Sequence, residues 1–508
     1  MAHISLPWLK VEVLDDRTWH LQSPVQFDPY LESQSIFAGQ RKFVIVLPVD
    51  DSSHDLCKVV SSIVALGYPA PVIVNWKRDF HTDTEGIGPS QLGKITGTLD
   101  FLEWATGQDA PDQDRLGDDD LVLMLDAHDI WMQLPPSVLL YRYFSSNQRA
   151  NKRLMDKYGF DKNVIEQTIV FSAQKGCIAP RDKISNLYCY DVPDSTLPPY
   201  VFGFLTDYKI GRWKFMRPKF VNSGSFLGPA GDMRRCFQRA KGKMDRDFIE
   251  ISSREDLAGD QGIFAEVFGE QELWRKRARL DELADDDAVK TTAIWSQNEF
   301  EYHIGLDYTQ ELFYPTCYSE EGGYFVPIDN SSVMEKESSN AGVSPPRIRS
   351  IPADISKADF PLAKLSGTPD KDLTWGKVPL YVDFWTTAIP VAIHHNAWRH
   401  GLKSRRTKWW DKTWYFPYLR DLLEVQMYAN RTTTPLATLD AKNGSLKIRP
   451  YHGEGEPKAS LLFGKNKETR SQQLRAADWN TVCSNSNATA EAEAHWYDEV
   501  FRDGNGSL

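Results

Sequence analysis

The chain has little of what marks several common protein classes. No stretch approaches the roughly 18 consecutive apolar residues of a membrane-crossing helix, so no membrane span is expected. The opening Met1-Ala-His-Ile-Ser-Leu-Pro-Trp8 has neither a basic nor an apolar segment, and no export signal is expected there. Cysteine is sparse: Cys57, Cys177, Cys189, Cys236, Cys317 and Cys483 show no CxxC or CxxxxC spacing, which argues against a structural zinc site and leaves a disulfide framework unnecessary. Positive charge is also short, 59 Lys plus Arg against 70 Asp plus Glu, a formal charge of −11. Coating a nucleic acid by phosphate neutralisation needs the opposite balance, so no nucleic-acid partner is expected and any phosphate must be bound locally.

What is present is enough to build a large core. The 508 residues are 41% hydrophobic and 25% charged, which suits one large α/β catalytic domain with extensions, or two domains. Aromatics reach 12% with 16 Trp; flat polar ligands such as sugars or bases favour such residues, and large cores also consume them. Asn-x-Ser/Thr sequons stand at Asn330, Asn430, Asn443, Asn487 and Asn505 and matter only if the chain enters a secretory route.

Residues 1–40 read as a polar N-terminal extension. Lys42 to Val49 is a continuous apolar run of the kind that buried parallel strands show. Apolar residues at Leu56, Val59, Val60, Ile63 and Val64, stopped by Gly67 and Pro69, predict a helix, and Pro71 to Asn75 a second strand: a β-α-β unit. A helix over 91–106 and a strand Leu121 to Leu125 follow. Further strands are expected at 168–171, 219–228 and 389–393, and helices at 231–241, 257–268 and 409–429, so the alternation is α/β with a mostly parallel sheet. Residues 328–375, rich in Ser, Pro, Lys and Asp, read as a flexible insertion between a main region, 41–327, and its closing part, 376–430. In 431–508, Asn443-Gly444 between short alternating runs predicts a hairpin, followed by a partly ordered tail.

The Leu121 to Leu125 run ends in Asp126-Ala-His-Asp129, at a strand terminus where open α/β sheets place their ligands. Two carboxylates one turn apart can face a common point, and a hard divalent cation takes such oxygen ligands while sharing them with substrate phosphates. The same spacing occurs in solvated turns, but burial would set two like charges against each other unless a cation compensates. Downstream, Ala392-Ile-His-His-Asn396 ends another apolar run; an imidazole can complete an oxygen/nitrogen shell for manganese, and His394, His395 and His400 compete for that role. The basic stretch Arg399 to Lys408 can neutralise a diphosphate or simply pair with neighbouring acids. Asn222-Ser223-Gly224 inside an apolar strand offers close backbone approach and donors for a polyol, or a bulge. Asp260-Gln261 opens a helix, where an acid also suits the helix dipole.

Taken in order, these segments resemble the glycosyltransferase domain of procollagen lysyl hydroxylases and the related collagen galactosyl- and glucosyltransferases, which have a GT-A fold. The likeness runs with gaps over residues 42–405: Lys42 to Val49, Leu121 to Asp129, Val170 to Ala173 with Cys177, Phe220 to Gly228, Asp260-Gln261, Ile304 to Asp307 before Phe313, and Pro390 to Asn396. It implies a Rossmann-like sheet carrying a manganese ion on Asp126, Asp129 and His394, with Asn396 beside them and Lys403 toward the diphosphate of a UDP-sugar. Val49, Asp50 and Trp76 are then expected along uracil and ribose, and Asn222, Ser223 and Gly224 by the donor sugar or acceptor. Asp260, together with Asp126, would serve catalysis by deprotonating the acceptor hydroxyl or orienting the sugar. The implied activity is transfer of a hexose from UDP to a hydroxyl of a protein or glycan, in the secretory pathway. The family's H-G-N-G segment is His394-His-Asn-Ala397 here, without either glycine, and no H-x-D iron site follows, so a collagen acceptor is not inherited. The altered loop also fits an alternative, a catalytically silent module of the same shape that binds carbohydrate or protein.

Overall fold

The computed structural model describes residues 37–78, 90–159, 165–177, 187, 189, 192–208, 213–250, 259–282, 299–365, 372–397, 399–428, 434–452, 458–466, 468–484 and 495–508. Its strands, in chain order, are β1 (Phe37–Pro48), β2 (Val72–Val74), β3 (Leu121–Leu125), β4 (Ile130–Met132), β5 (Ile169–Gln174), β6 (Phe220–Pro229), β7 (Ile304–Asp307), β8 (Phe313–Pro315), β9 (Gly323–Pro327), β10 (Pro379–Asp383), β11 (Ala392–His394), β12 (Ala437–Pro450), β13 (Ser460–Lys465) and β14 (Gln472–Ala477). The main sheet runs β14-β13-β2-β1-β3-β6-β5-β7, with β12 paired to the first half of β1. Smaller sheets are β10-β9 and β4-β11-β8.

Strand β1 shows why the sheet is central. Phe43, Ile45 and Leu47 pack into one core while Val44 and Val46 pack into the other, the two-residue alternation of a strand covered on both faces. Helix His54–Ala65 covers the first face; Ser53 caps it by accepting from the Leu56 N–H at 3.0 Å, and Leu56, Val59, Val60 and Ile63 are its buried stripe. Helices Ser90–Thr106, Ala230–Glu250 and Gly259–Glu282 pack on the second. The sheet is mixed: β1 runs parallel to β2, β3 and β12, whereas β6 is antiparallel to both β3 and β5.

Several expectations need correction. Residues 328–365 are folded, with helices Ser331–Asn340 and Ala353–Ser356 and with Ile328, Met334, Val343, Ile348, Ile355 and Leu362 in the core, because apolar residues at irregular spacing still found buried places. The hairpin at Asn443-Gly444 is instead a bulge in the single long strand β12, whose partner is β1 and not a neighbouring segment. In place of the helix expected over 409–429, the described residues to 428 form three short helical pieces, Trp410–Lys412, Phe416–Tyr418 and Leu419–Tyr428, with Pro417 unable to donate to a continuous helix. Much of the expected tail is ordered: β13 and β14 extend the main sheet, and Trp496, Val500 and Phe501 are buried. Two disulfides are present, Cys57–Cys483 and Cys177–Cys189, the first joining helix His54–Ala65 to helix Trp479–Cys483 across 426 positions. Among the described residues no helix is long and apolar enough to cross a membrane.

Candidate metal and ligand site

The cavity of interest lies where β1 and β3 end. It has a volume of about 420 Å³ and is lined by Val49 and Asp50 after β1, Asp126 to Asp129 after β3, Gln174 at the end of β5, Asn222 to Gly224 early in β6, and His394 at the end of β11. Because β6 is antiparallel to β3, its amino-terminal half reaches the same edge as the carboxyl ends of its neighbours.

Asp126 is held by its N–H donating to the Gly224 carbonyl at 2.8 Å, and His394 by the pairing of β11 with β4 and β8. The His394 carbonyl accepts from the Thr316 N–H at 2.9 Å, and the His395 N–H donates to the Asp129 carbonyl at 2.7 Å. These backbone bonds bring the three side chains together. His394 Nε2 lies 3.5 Å from Asp126 Oδ2 and 3.2 Å from Asp129 Oδ1, and the ligand atoms of all three lie within 4.8 Å of one another. His394 Nδ1 is 3.2 Å from the Asn222 Oδ1, an oxygen with no proton to give, so Nδ1 is the donor of that bond. Nε2 faces two carboxylates, so a bare lone pair there would meet acceptors, and a proton or a metal cation must lie between them. Such an arrangement asks for a cation, and two oxygens with one imidazole nitrogen are ligands a manganese-like ion accepts. The residues present therefore fit a divalent metal.

Gly224 is required by this geometry: a Cβ there would overlap the His394 ring and come within 3.0 Å of Asp126 Oδ2. The bulge reading of Asn222-Ser223-Gly224 holds: Ser223 to Ser225 bulge out of the β5–β6 register, and Asn222, Ser223 and Gly224 line the cavity. Burial pushes the Asp129 carboxyl upward, but the adjacent His394 and Lys403 more than offset this and hold it well below the ordinary carboxylate range.

The competition among histidines resolves in part. His395 turns into the core against Trp131, ring centroids 4.1 Å apart, and burial holds it down to about 3, a neutral core ring that is not aimed at the acids. The backbone of His400 belongs to the short helical segment Arg399–Ser404, and its side chain lies outside the described residues. Of the basic stretch, Lys403 and Arg406 line the cavity, Lys403 Nζ lying 3.9 Å from Asp129 Oδ2. Arg399 and Arg405 lie over the rings of Tyr318 and Trp409 instead. Asn396 is at the cavity with its Oδ1 accepting from the Cys317 N–H at 2.9 Å. The missing glycines are absorbed by packing: Ala397 is buried and its N–H donates to Thr316 Oγ1 at 3.2 Å. Trp76 does not join the lining. Asn75, in a left-handed conformation (φ 69°) and bonded to the Gly93 carbonyl at 2.8 Å, takes that place, and Trp76 packs against the core beneath Lys77.

Sequence reasoning missed Lys94. Its ammonium is buried between Asp126 Oδ1 at 2.6 Å and Asp260 Oδ2 at 2.7 Å, and donates to the Ser223 carbonyl at 3.1 Å. Burial alone would lower its pKa, but Asp126 and Asp260 raise it well above the ordinary lysine value. A signal was available: Lys94 is the only basic residue in helix Ser90–Thr106 and sits near its amino-terminal end, where the helix dipole disfavours a cation. His128 and Gln174 were also missed; Gln261, read with Asp260 at the helix start, lines the cavity, and its Nε2 has no hydrogen-bond partner among the described residues.

Compared with known proteins, the chain matches no family model and no curated protein.

Proposed function

We propose that this protein is a metal-dependent glycosyltransferase with a GT-A-like fold, moving a hexose from a UDP-sugar to a hydroxyl of a protein or glycan. The observation that carries the reading is the meeting of Asp126, Asp129 and His394, residues separated by more than 250 positions, at the strand ends of a cavity large enough for a nucleotide sugar. Asp126, Asp129 and the Nε2 of His394 would hold the ion. When bound, a divalent metal neutralises the negative charge that grows on a leaving diphosphate.

The chain's own groups supply the rest. Lys403, beside Asp129, and Arg406, paired with Asp55 on the same lining, would place positive charge by the leaving diphosphate. Val49, Asp50 and Asn75 form the end of the cavity assigned to the base and ribose. Asn222 and the bulged Ser223-Gly224 segment face the sugar, with the Gln261 amide as a further donor. The Asp260 Oδ2 is taken up by the Lys94 ammonium at 2.7 Å. Lys94 in turn holds Asp126 Oδ1, which leaves Oδ2 toward His394.

Titrating manganese and UDP into the full chain, followed by a screen of UDP-sugars for slow release of free sugar, tests the proposal. Sugar release that requires manganese supports a transferase. Manganese-dependent UDP binding without release would leave a silent binding module, and absence of both would overturn the reading.

A further inference from the structure

The sequons are the sequence motif that the cavity does not use. Asn430 and Asn487 lie outside the described residues, whereas Asn330, Asn443 and Asn505 are exposed. Two of these three are engaged. The Asn330 Oδ1 caps helix Ser331–Asn340 by accepting from the Val333 N–H at 3.2 Å. Around Asn505, the Gly506 and Ser507 carbonyls accept from Arg420 at 2.8 and 3.0 Å.

Asn443 is different. The β1–β12 register jumps from Phe37 opposite Lys442 to Gly39 opposite Leu446, so Asn443, Gly444 and Ser445 together oppose Ala38 and bulge from the ladder. Asn443 is left-handed (φ 65°) and Gly444 follows at φ 144°, which throws the segment outward. The Asn443 side-chain amide makes no hydrogen bond among the described residues. The sequon is thus an exposed strand bulge with a free amide and a hydroxyl two residues on. It is also remote: ten residues of β1 separate Ala38 from Pro48 at the cavity, about 33 Å at the rise of an extended strand.

A second, independent observation fixes the compartment such a modification needs. Cys57 and Cys483 are fully buried and joined, and structural disulfides form and persist in oxidising compartments. We infer that Asn443 is an N-glycan acceptor site of a chain that folds oxidatively in a secretory compartment. The Asn443 Nδ2 attacks the anomeric carbon of an oligosaccharide carried on a lipid diphosphate. A C–N bond forms, the C–O bond to the diphosphate breaks, the amide loses one proton and the lipid diphosphate departs. Separately, the two thiols give up two protons and two electrons to the disulfide of a carrier, which leaves as its dithiol. Neither step depends on the transferase reading.

The test uses the full chain isolated from the cells that make it. Unreduced protein is alkylated, digested, treated with peptide N-glycosidase in heavy-oxygen water and analysed by mass spectrometry. The expected result is a heavy-oxygen aspartate at position 443 and a peptide pair linked through Cys57 and Cys483. An Asn443→Gln variant should lose that label and one step of electrophoretic mobility shift while keeping its response to manganese and UDP. An unlabelled Asn443, or Cys57 and Cys483 recovered as alkylated thiols, would overturn the inference.

Discussion

Two buried charged clusters in this chain are built on opposite rules. Around Arg275 the acceptors meet donors: Nε and Nη2 reach the two Glu301 oxygens at 2.7 and 2.6 Å, and Nη1 reaches Glu272 at 2.9 Å. Gln271 adds a donor to Glu272 at 3.2 Å, and the His303 N–H one to Glu301 at 2.9 Å. At the strand ends, by contrast, the Nε2 of His394 faces two carboxylates with a proton or a metal cation required between them. The closed cluster ties helix Gly259–Glu282 to the segment before β7, whereas in the open one Lys94 meets Asp126 Oδ1 and Asp260 while ligand atoms of Asp126, Asp129 and His394 converge on one point. Burial and charge alone do not mark a functional site; the mismatch between donors and acceptors does.

The largest expected effect lies in the closed cluster. Arg275→Met should cost about 3–5 kcal/mol of unfolding free energy in urea, since Glu272 and Glu301 lose their compensating charge, and manganese should not restore it. A loss under about 1 kcal/mol would break the comparison. In the open cluster, Asp126→Ala and Asp129→Ala should cost less metal-free stability than Arg275→Met, because Lys94 keeps Asp260 when Asp126 is removed. They should abolish the gain that manganese with UDP confers, about 2.7 kcal/mol at a hundredfold excess over the dissociation constant. Calorimetric melting with and without both ligands reads this directly.

Asp307 sharpens the contrast from a third side, a buried carboxyl met only by neutral donors. It accepts from the Leu312 and Phe313 N–H groups at 2.8 and 3.0 Å, yet burial, with Glu311 nearby, holds it up to about 6. Its unfolded value is about 3.9, so the folded chain binds more protons between about pH 4 and 6. Stability from this group therefore falls as pH rises through that window, by on the order of 2–3 kcal/mol, and is level above it. Asp307→Asn should remove that slope in urea titrations at a series of pH values; an unchanged slope contradicts the assignment. The smallest effect is expected at Trp76, where substitution by Ala should leave UDP affinity unchanged, in contrast to Asp50 on the cavity wall.

The parts of this site that were legible are those that local pattern controls. The Leu121 to Leu125 run placed Asp126 and Asp129 at a strand end because five consecutive apolar residues could only be buried. His394 needed the family resemblance to single it out from His395, since the sequence carries no sign of which ring faces the acids and which faces Trp131. Long-range pairing was the main loss. Asn443-Gly444 has the local chemistry of a hairpin turn, but β1 offered β12 a partner some 400 positions away. The Cys57–Cys483 bond was invisible for the same reason. Short strands such as Ile130–Met132 and β11 carry too few residues to show a period, although they hold His394 in place.

The central claim, that Asp126, Asp129 and His394 share one ion, is tested most directly by pulsed electron paramagnetic resonance of manganese bound to the chain with nitrogen-15-labelled histidine. The account predicts modulation from a single directly bound imidazole nitrogen, lost in His394→Ala. Manganese binding with no histidine nitrogen coupled to it, or a coupling that survives in His394→Ala, would contradict it.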